Sequence, residues 1–321
     1  MMETKKKICV IGGGQWGKNH IKTLYEMGYL SGIVDTSSAR LSTLLELYPV
    51  SGYTSLDSAL EYGFDGYTIA TPATLHFEIA KKILKTGNPV MVEKPMTLSS
   101  TEALELVKIA DENKTQLMVG HLLLFHPAIR KIKELIDSGK IGKLYYIYSN
   151  RLNFGTVRTE ENVFWSLASH DVSILDYFVG KPALSIKAKG QKFLQKNIYD
   201  STYAFLSYPD NIKGHIFASW LHPFKEHRLV VIGSRGMLVF EDSSIEKNVI
   251  FYNKRIDFDN CVPVKIEEPE EVIEYEHKMP LAEELFYFVK HLDSRITIAD
   301  GKSGYEVVKT LEMVQKLIDK N

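Results

Sequence analysis

Gly12, Gly14 and Gly17 follow an apolar run, Ile8-Cys9-Val10-Ile11, and give the spacing G-x-G-x-x-G. The run reads as a buried strand. The first glycine permits a tight turn out of it, the second lets a pyrophosphate lie against the backbone, and the third lets the next helix pack close. The phosphates then meet the free N–H groups and positive end of that helix. Glycine-rich turns are common, but here an acid stands at the required distance. Leu30-Ser31-Gly32-Ile33-Val34 reads as a second strand and ends in Asp35, whose carboxylate suits both ribose hydroxyls of an adenosine. Asp35 should also repel a 2′-phosphate, which favours NAD over NADP. Arg40, five residues on, is the one cation placed to reach such a phosphate.

Lys94 stands between Glu93 and Pro95, directly after the apolar run Pro89-Val90-Met91-Val92. A lysine just past a buried strand sits in low dielectric, which disfavours its charged form. Beside an oxidised nicotinamide its pKa would fall further. A neutral lysine can accept a hydroxyl proton while a hydride leaves the same carbon. Glu93 is placed to hold the ammonium. A solvated lysine at a strand end is the plain alternative.

His170 falls on the apolar stripe Leu167, His170, Ile174 and Phe178 of a helix expected over 166–178. It is either a satisfied core histidine or a site residue facing a cleft. Asp171 and Asp176 lie off that stripe and read as surface or orienting groups.

The elements that must position these residues alternate strand and helix through the first 121 residues. Asp35, Thr71, Lys94 and His121 all fall at carboxyl ends of expected strands, where ligands bind in parallel sheets. After Pro127 the pattern changes. A Tyr-rich strand over 143–153, a polar loop, the helix over 166–178 and at least four β-rich segments follow. Two closing helices are expected over 280–292 and 303–319. The fold class expected is α/β: an N-terminal doubly wound parallel sheet over 1–121, then an α+β domain over 122–321 with a large, mainly antiparallel open sheet. In the strand near 203–208, apolar groups alternate onto both faces, which suggests a second subunit and a homo-oligomer, a dimer or tetramer.

Composition narrows the classes. The chain has 321 residues, 39 Lys+Arg against 40 Asp+Glu, and a net charge of -1. No basic surplus argues for nucleic acid. Two cysteines make no disulfide framework, so a reducing, cytoplasmic setting is expected. Lys5-Lys6-Lys7 precedes an apolar run too short for a signal peptide, and there is no run of about 18 apolar residues for a membrane span. No metal-ligand spacing stands out among the 10 histidines.

Gly12 to Gly17, Asp35, Ala70-Thr71-Pro72 with His76, Glu93-Lys94-Pro95 and His170 occur in an order that resembles the glucose–fructose oxidoreductase/inositol dehydrogenase/rhizopine-catabolism family. The resemblance implies a Rossmann domain joined to an α/β domain whose open sheet makes the oligomer interface. It implies NAD contacts from Gly12, Gly14, Gln15, Trp16, Gly17, Asp35, Thr71, Pro72, His76, Glu93 and Lys94. In the family the lysine matching Lys94 touches substrate and nicotinamide, and the histidine matching His170 is the usual acid/base. One departure concerns proton relay: many members carry an aspartate four residues before the histidine, where this chain has Ser166.

The run Asn150 to Trp165 holds Arg151, Asn153, Arg158, Asn162 and Trp165. Arginine and asparagine suit phosphate and amide groups; an exposed polar loop is the alternative. The run looks like that of family members oxidising C3 of UDP-linked N-acetylhexosamines. Substrate contacts are therefore expected from these five residues and Ser166, with UDP-N-acetylglucosamine or its uronate as substrate. A free sugar or inositol-like polyol, a redox-assisted glycosidase or lyase, and a non-catalytic NAD-binding sensor are the competing readings. Lys94 with His170 favours the enzyme, since a sensor needs no proton acceptor.

Overall fold

The computed structural model describes residues 5–320; the chain ends included in the expected domains, 1–4 and 321, lie outside the described residues. Its elements run β1 (Ile8–Ile11), α1 (Gly17–Glu26), β2 (Leu30–Val34), α2 (Ser38–Leu47), β3 (Ser51–Tyr53), α3 (Leu56–Tyr62), β4 (Gly66–Ile69), α4 (His76–Lys85), β5 (Val90–Glu93), α5 (Ser100–Glu112) and β6 (Leu117–Gly120). Then follow α6 (Pro127–Asp137), β7 (Leu144–Phe154), α7 (Ser169–Val179), β8 (Ser185–Gln191), β9 (Ser201–Ser207), β10 (Lys213–Ser219), β11 (Leu221–Gly233) and β12 (Met237–Glu241). The chain closes with β13 (Val249–Tyr252), β14 (Lys254–Asp259), β15 (Val262–Glu267), β16 (Glu271–Ile273), α8 (Pro280–Lys290) and α9 (Gly301–Asp319).

Two compact units result. One holds the chain through Phe125 together with Lys278–Lys309, and the other holds His126–His277 with the segment from Thr310. The boundary expected at 121/122 assigns 278–309 to the second domain, whereas α8 packs on α1 of the first unit. The cause is the buried face of α8, where Leu285 and Phe288 are fully buried. Nothing in local periodicity tells a helix which sheet it will cover.

In the first unit the strand order is β3-β2-β1-β4-β5-β6, and every pairing is parallel. Ile8, Cys9 and Val10 are inaccessible to solvent, as are Val90, Met91 and Val92. Burying each such side chain contributes ~1.5–3 kcal/mol before entropic costs. Burial also pushes the Cys9 thiol far up, which makes it a small core residue.

In the second unit an eight-stranded sheet runs β16-β13-β12-β11-β7-β10-β9-β8. It is antiparallel except between β7 and β10. Along β9, Ala204 and Leu206 are buried while Tyr203 and Phe205 are exposed. The β-rich stretch over 228–241 is a hairpin: Ser234-Arg235-Gly236 turns the chain between β11 and β12. β13 to β16 were not legible: they are short, and the β14–β15 ribbon is largely exposed, so no buried face imposes a pattern.

Candidate active site

The first half of the site is backbone. Gly12 has φ +95°, and a Cβ there would stand 2.9 Å from the Ala70 carbonyl oxygen. At Gly17 a Cβ would meet the Gly12 oxygen at 1.8 Å, so only glycine lets α1 start this close to β1. Gly14 differs, since no atom lies within 4 Å of where its Cβ would be. Packing within the chain therefore does not require Gly14, but a pyrophosphate lying on the backbone does. α1 begins at Gly17 with no side-chain cap and no acid in its first turn, so none of its own side chains offsets its positive end.

Asp35, at the end of β2, is 3% exposed. Burial pushes its carboxyl up. The N–H groups of Ser37 and Gly13, each at 2.8 Å, and the Arg40 guanidinium outweigh this and hold it below the usual range. Arg40 Nη1 donates to both carboxylate oxygens at 3.0 and 3.1 Å. The carboxylate is thus already well supplied with donors, and ribose hydroxyls must compete with the half-exposed Arg40.

Glu93 accepts Trp16 Nε1–H at 2.5 Å, His20 Nε2–H at 2.8 Å and the Lys94 backbone N–H at 3.1 Å. The Trp16 indole and the His20 imidazole thus share one Glu93 oxygen, and the Lys94 backbone N–H takes the other. Burial pushes Glu93 up, but His20 and the other donors prevail and keep it below the usual range. The glycine turn and the lysine turn are therefore tied together through one carboxylate. Gln15 and Pro72 are exposed, while Thr71 and Lys94 are half-buried.

His76 is buried, and both ring nitrogens are used: Nδ1 faces the Pro95 carbonyl and Nε2 the Thr71 carbonyl, each at 2.9 Å. It clamps the turns after β4 and β5, which corrects the reading of His76 as a direct cofactor contact. Burial lowers its pKa against the pull of those carbonyls.

The second unit corrects more. Arg151 is 8% exposed, and its Nε and Nη2 donate to the fully buried Asp171 at 3.0 and 2.8 Å. Ser149 Oγ donates to the same carboxylate at 2.5 Å. Arg151 is thus committed inside the fold and not offered to a diphosphate, and Asp171 is not a surface group. Asn162 is also used up: its Oδ1 accepts the N–H groups of Phe164 and Trp165, and its Nδ2 binds Gln315. It caps the turn that leads to His170 and does not read an acetamido group.

That turn, Phe164–Ala168, is π-helical and runs into α7 at Ser169. The widened turn breaks the even α-helical spacing expected from Ser166 to His170. His170 is half-buried in the first turn of α7, next to Asp171. Ser166 is buried. Asn153 and Trp165 are half-buried, and Arg158 is exposed with Glu161 4.0 Å away.

His227 went unsignalled in the sequence. Its Nδ1 lies 3.4 Å from Arg151 Nη1. Burial, then Arg151, push its pKa down to about 4. Only the register of β11 on β7, which pairs His227 with Arg151, brings the two together.

Comparison with known proteins fits this geometry. Residues 6–121 match the model of the oxidoreductase family with an NAD-binding Rossmann fold. Residues 129–239 match the GFO/IDH/MocA C-terminal domain. The chain belongs to the GFO/IDH/MocA oxidoreductase family. The open cradle at Gly14, the uncapped start of α1 and the Asp35 carboxylate fit the NAD that this fold binds.

Among relatives, the UDP-N-acetylglucosamine 3-dehydrogenase of Acidithiobacillus ferrooxidans is 28% identical over 182 residues, 56% of each chain. An inositol 2-dehydrogenase of Corynebacterium glutamicum is 24% identical over 60% of this chain and 59% of its own. The matches thus span little more than half the length of these relatives. The solved structure of the Acidithiobacillus enzyme superposes with a TM-score of 0.86 at 22% identity over 98% of both chains. That of the WlbA dehydrogenase from Bordetella pertussis, in complex with NADH and UDP-GlcNAcA, gives 0.78 at 20% identity over 98% of this chain and 97% of its own. At these identities the superpositions speak for the fold. Among the described residues no helix is long and apolar enough to cross a membrane.

Proposed function

We propose that the protein is an NAD-dependent dehydrogenase of a sugar hydroxyl, most specifically C3 of a UDP-N-acetylglucosamine-type nucleotide sugar. The observation that carries the dehydrogenase reading is the Glu93 bridge, which fixes Lys94 on the same carboxylate as the Trp16 end of the glycine turn. NAD, when bound, supplies the acceptor for the hydride leaving the hydroxyl-bearing carbon. Lys94 Nζ takes the hydroxyl proton as the carbonyl forms, so the lysine must enter the step neutral. His170 is the second proton-handling group, aimed by α7, whose first turn is anchored where Asp171 grips Arg151. With Ser166 four residues earlier and not an aspartate, Lys94 carries more of this work than in many relatives.

For the substrate, the reading rests on the Acidithiobacillus relative and on Arg158 and Trp165. Arg151 and Asn162 no longer support it, so Arg158 is left as the cation of that run for a diphosphate. A free polyol is the second reading, favoured by the inositol dehydrogenases among the relatives and by the burial of Arg151. NADH formation against UDP-N-acetylglucosamine, its uronate, glucose and myo-inositol tests the choice. Preference for a polyol would remove the nucleotide sugar and keep the dehydrogenase.

The exposed aromatic face of the second sheet supports a homo-oligomer. Tyr203 stacks on Phe217 at 4.2 Å and Tyr148 on His215 at 5.0 Å, with Phe205 59% exposed beside them. Sedimentation showing monomer alone at micromolar concentration would contradict it.

A further inference from the structure

We propose that Glu284 is a positioning residue of the Glu93–Lys94 turn: a protonated carboxylic acid that completes a buried set with His20 and His121 and leaves the negative charge behind Lys94 on Glu93. Glu284 lies on α8, which packs on α1 and on the short 3₁₀ turn Leu122–Phe125 that follows His121. Its side chain is inaccessible to solvent, and neither carboxylate oxygen has a protein partner. Two groups nearby are in the same condition. His20 is fully buried with Nδ1 unpaired, and His121 is 2% exposed with both ring nitrogens unpaired. Glu93 is the common neighbour, bonded to His20 and within electrostatic reach of both His121 and Glu284.

Two carboxyl groups in one apolar pocket do not both ionise readily. The donors decide which one does. Glu93 accepts three N–H groups, whereas Glu284 accepts none from the protein. Glu93 therefore takes the charge and Glu284 the proton. Burial, then the Glu93 charge, push Glu284 well above the usual carboxylate range. His121 is pushed the other way by burial, to about 4, with Glu93 opposing and Lys94 assisting, and is neutral near pH 7.

A neutral His121 has one donor and one acceptor, and a protonated Glu284 adds one of each, so the two unpaired groups together offer as many donors as acceptors. An ionised Glu284 would add acceptors only. It would also place a second negative charge beside Glu93, favouring protonation of Glu93 and loosening its hold on Trp16 and the Lys94 N–H. The inference rests on the proposed role of Lys94 for its catalytic consequence, and its test does not use turnover.

Three measurements on the full chain test it. The infrared C=O stretch of a protonated carboxylic acid should be present in the wild-type protein at neutral pH and needs no variant; its absence would overturn the proposal. The indole N–H resonance of Trp16, assigned with W16F, should keep its wild-type position in E284Q and move in E284A toward its position in E93Q. An E284Q shift as large as that of E93Q would be contradictory. Between the unfolded and folded pKa values of Glu284, the unfolding equilibrium constant of the wild type should rise relative to that of E284Q by about tenfold per pH unit. A ratio independent of pH between about 5 and about 9 would show an ionised Glu284.

Discussion

The glycine turn after β1 and the polar run at the end of β7 look alike as strings of polar and small residues, and the fold treats them in opposite ways. In the first unit the backbone positions stay available: no chain atom fills the place of a Cβ at Gly14, and α1 begins uncapped. In the second unit the groups that seemed suited to a ligand are spent inside the fold, Arg151 on Asp171 and Asn162 on two backbone amides and Gln315. Backbone-made sites need particular residues at consecutive positions, so spacing reveals them. Side-chain sites depend on what a distant strand or helix brings opposite, and spacing is silent on that.

The widest test of this contrast is Lys94→Ala, which should retain NAD binding and lose turnover by roughly 10²–10⁴-fold, as expected for a positioned proton acceptor. Cofactor titration and steady-state NADH formation on the same preparation check both halves. Next in size is Asp171→Ala. It leaves the buried Arg151 uncompensated and should cost about 3–5 kcal/mol in urea unfolding. Arg158→Ala, in an exposed position, should change stability by less than about 0.5 kcal/mol and act instead on KM for a nucleotide sugar, with kcat little changed. A stable Asp171→Ala protein would show that Arg151 is not committed as described.

Acid acts on both units in the same way. His121 and His227 are held neutral, each pushed from 6.5 to about 4 mainly by burial. Their unfolded forms bind the extra proton first, so the stability they contribute is complete above pH 6.5 and is lost as pH falls toward about 4. His227→Gln should make that decline shallower in a series of thermal unfolding curves, and an unchanged slope would place His227 in water. The smallest effect concerns cofactor choice. Arg40→Ala frees both Asp35 oxygens for ribose hydroxyls and should sharpen the preference for NAD over NADP, while Asp35→Ala should narrow it. Tighter NADP binding by the wild type would show that Arg40 serves a phosphate.

Legibility followed the same line. The parallel sheet, its order of elements and the turn after β1 could be read because alternating apolar runs and punctuating glycines report buried strands directly. The return of α8 to the first unit could not, since its apolar stripe suits any partner. Of the two readings left open for Asp171, surface or orienting group, the structure takes the second: it lies off the stripe that carries Leu167 and Ile174, on a side of α7 that faces β7 and not water. His20 and Glu284 carried no signal at all; an isolated histidine or glutamate on a helix gains its meaning only when a buried carboxylate such as Glu93 stands beside it. The π-turn before His170 is likewise invisible to a reading that assumes regular helical spacing.

The central claim is that Lys94, held at the glycine cradle by Glu93, accepts the proton of a sugar hydroxyl as its hydride is removed. The most direct measurement is NADH formation by wild type and Lys94→Ala, each shown to bind NAD, with UDP-N-acetylglucosamine and its uronate beside glucose and myo-inositol. Net NADH is expected from the wild type with a nucleotide sugar, and a rate lower by roughly 10²-fold or more in the variant. Undiminished turnover in a folded, NAD-binding Lys94→Ala protein would contradict it.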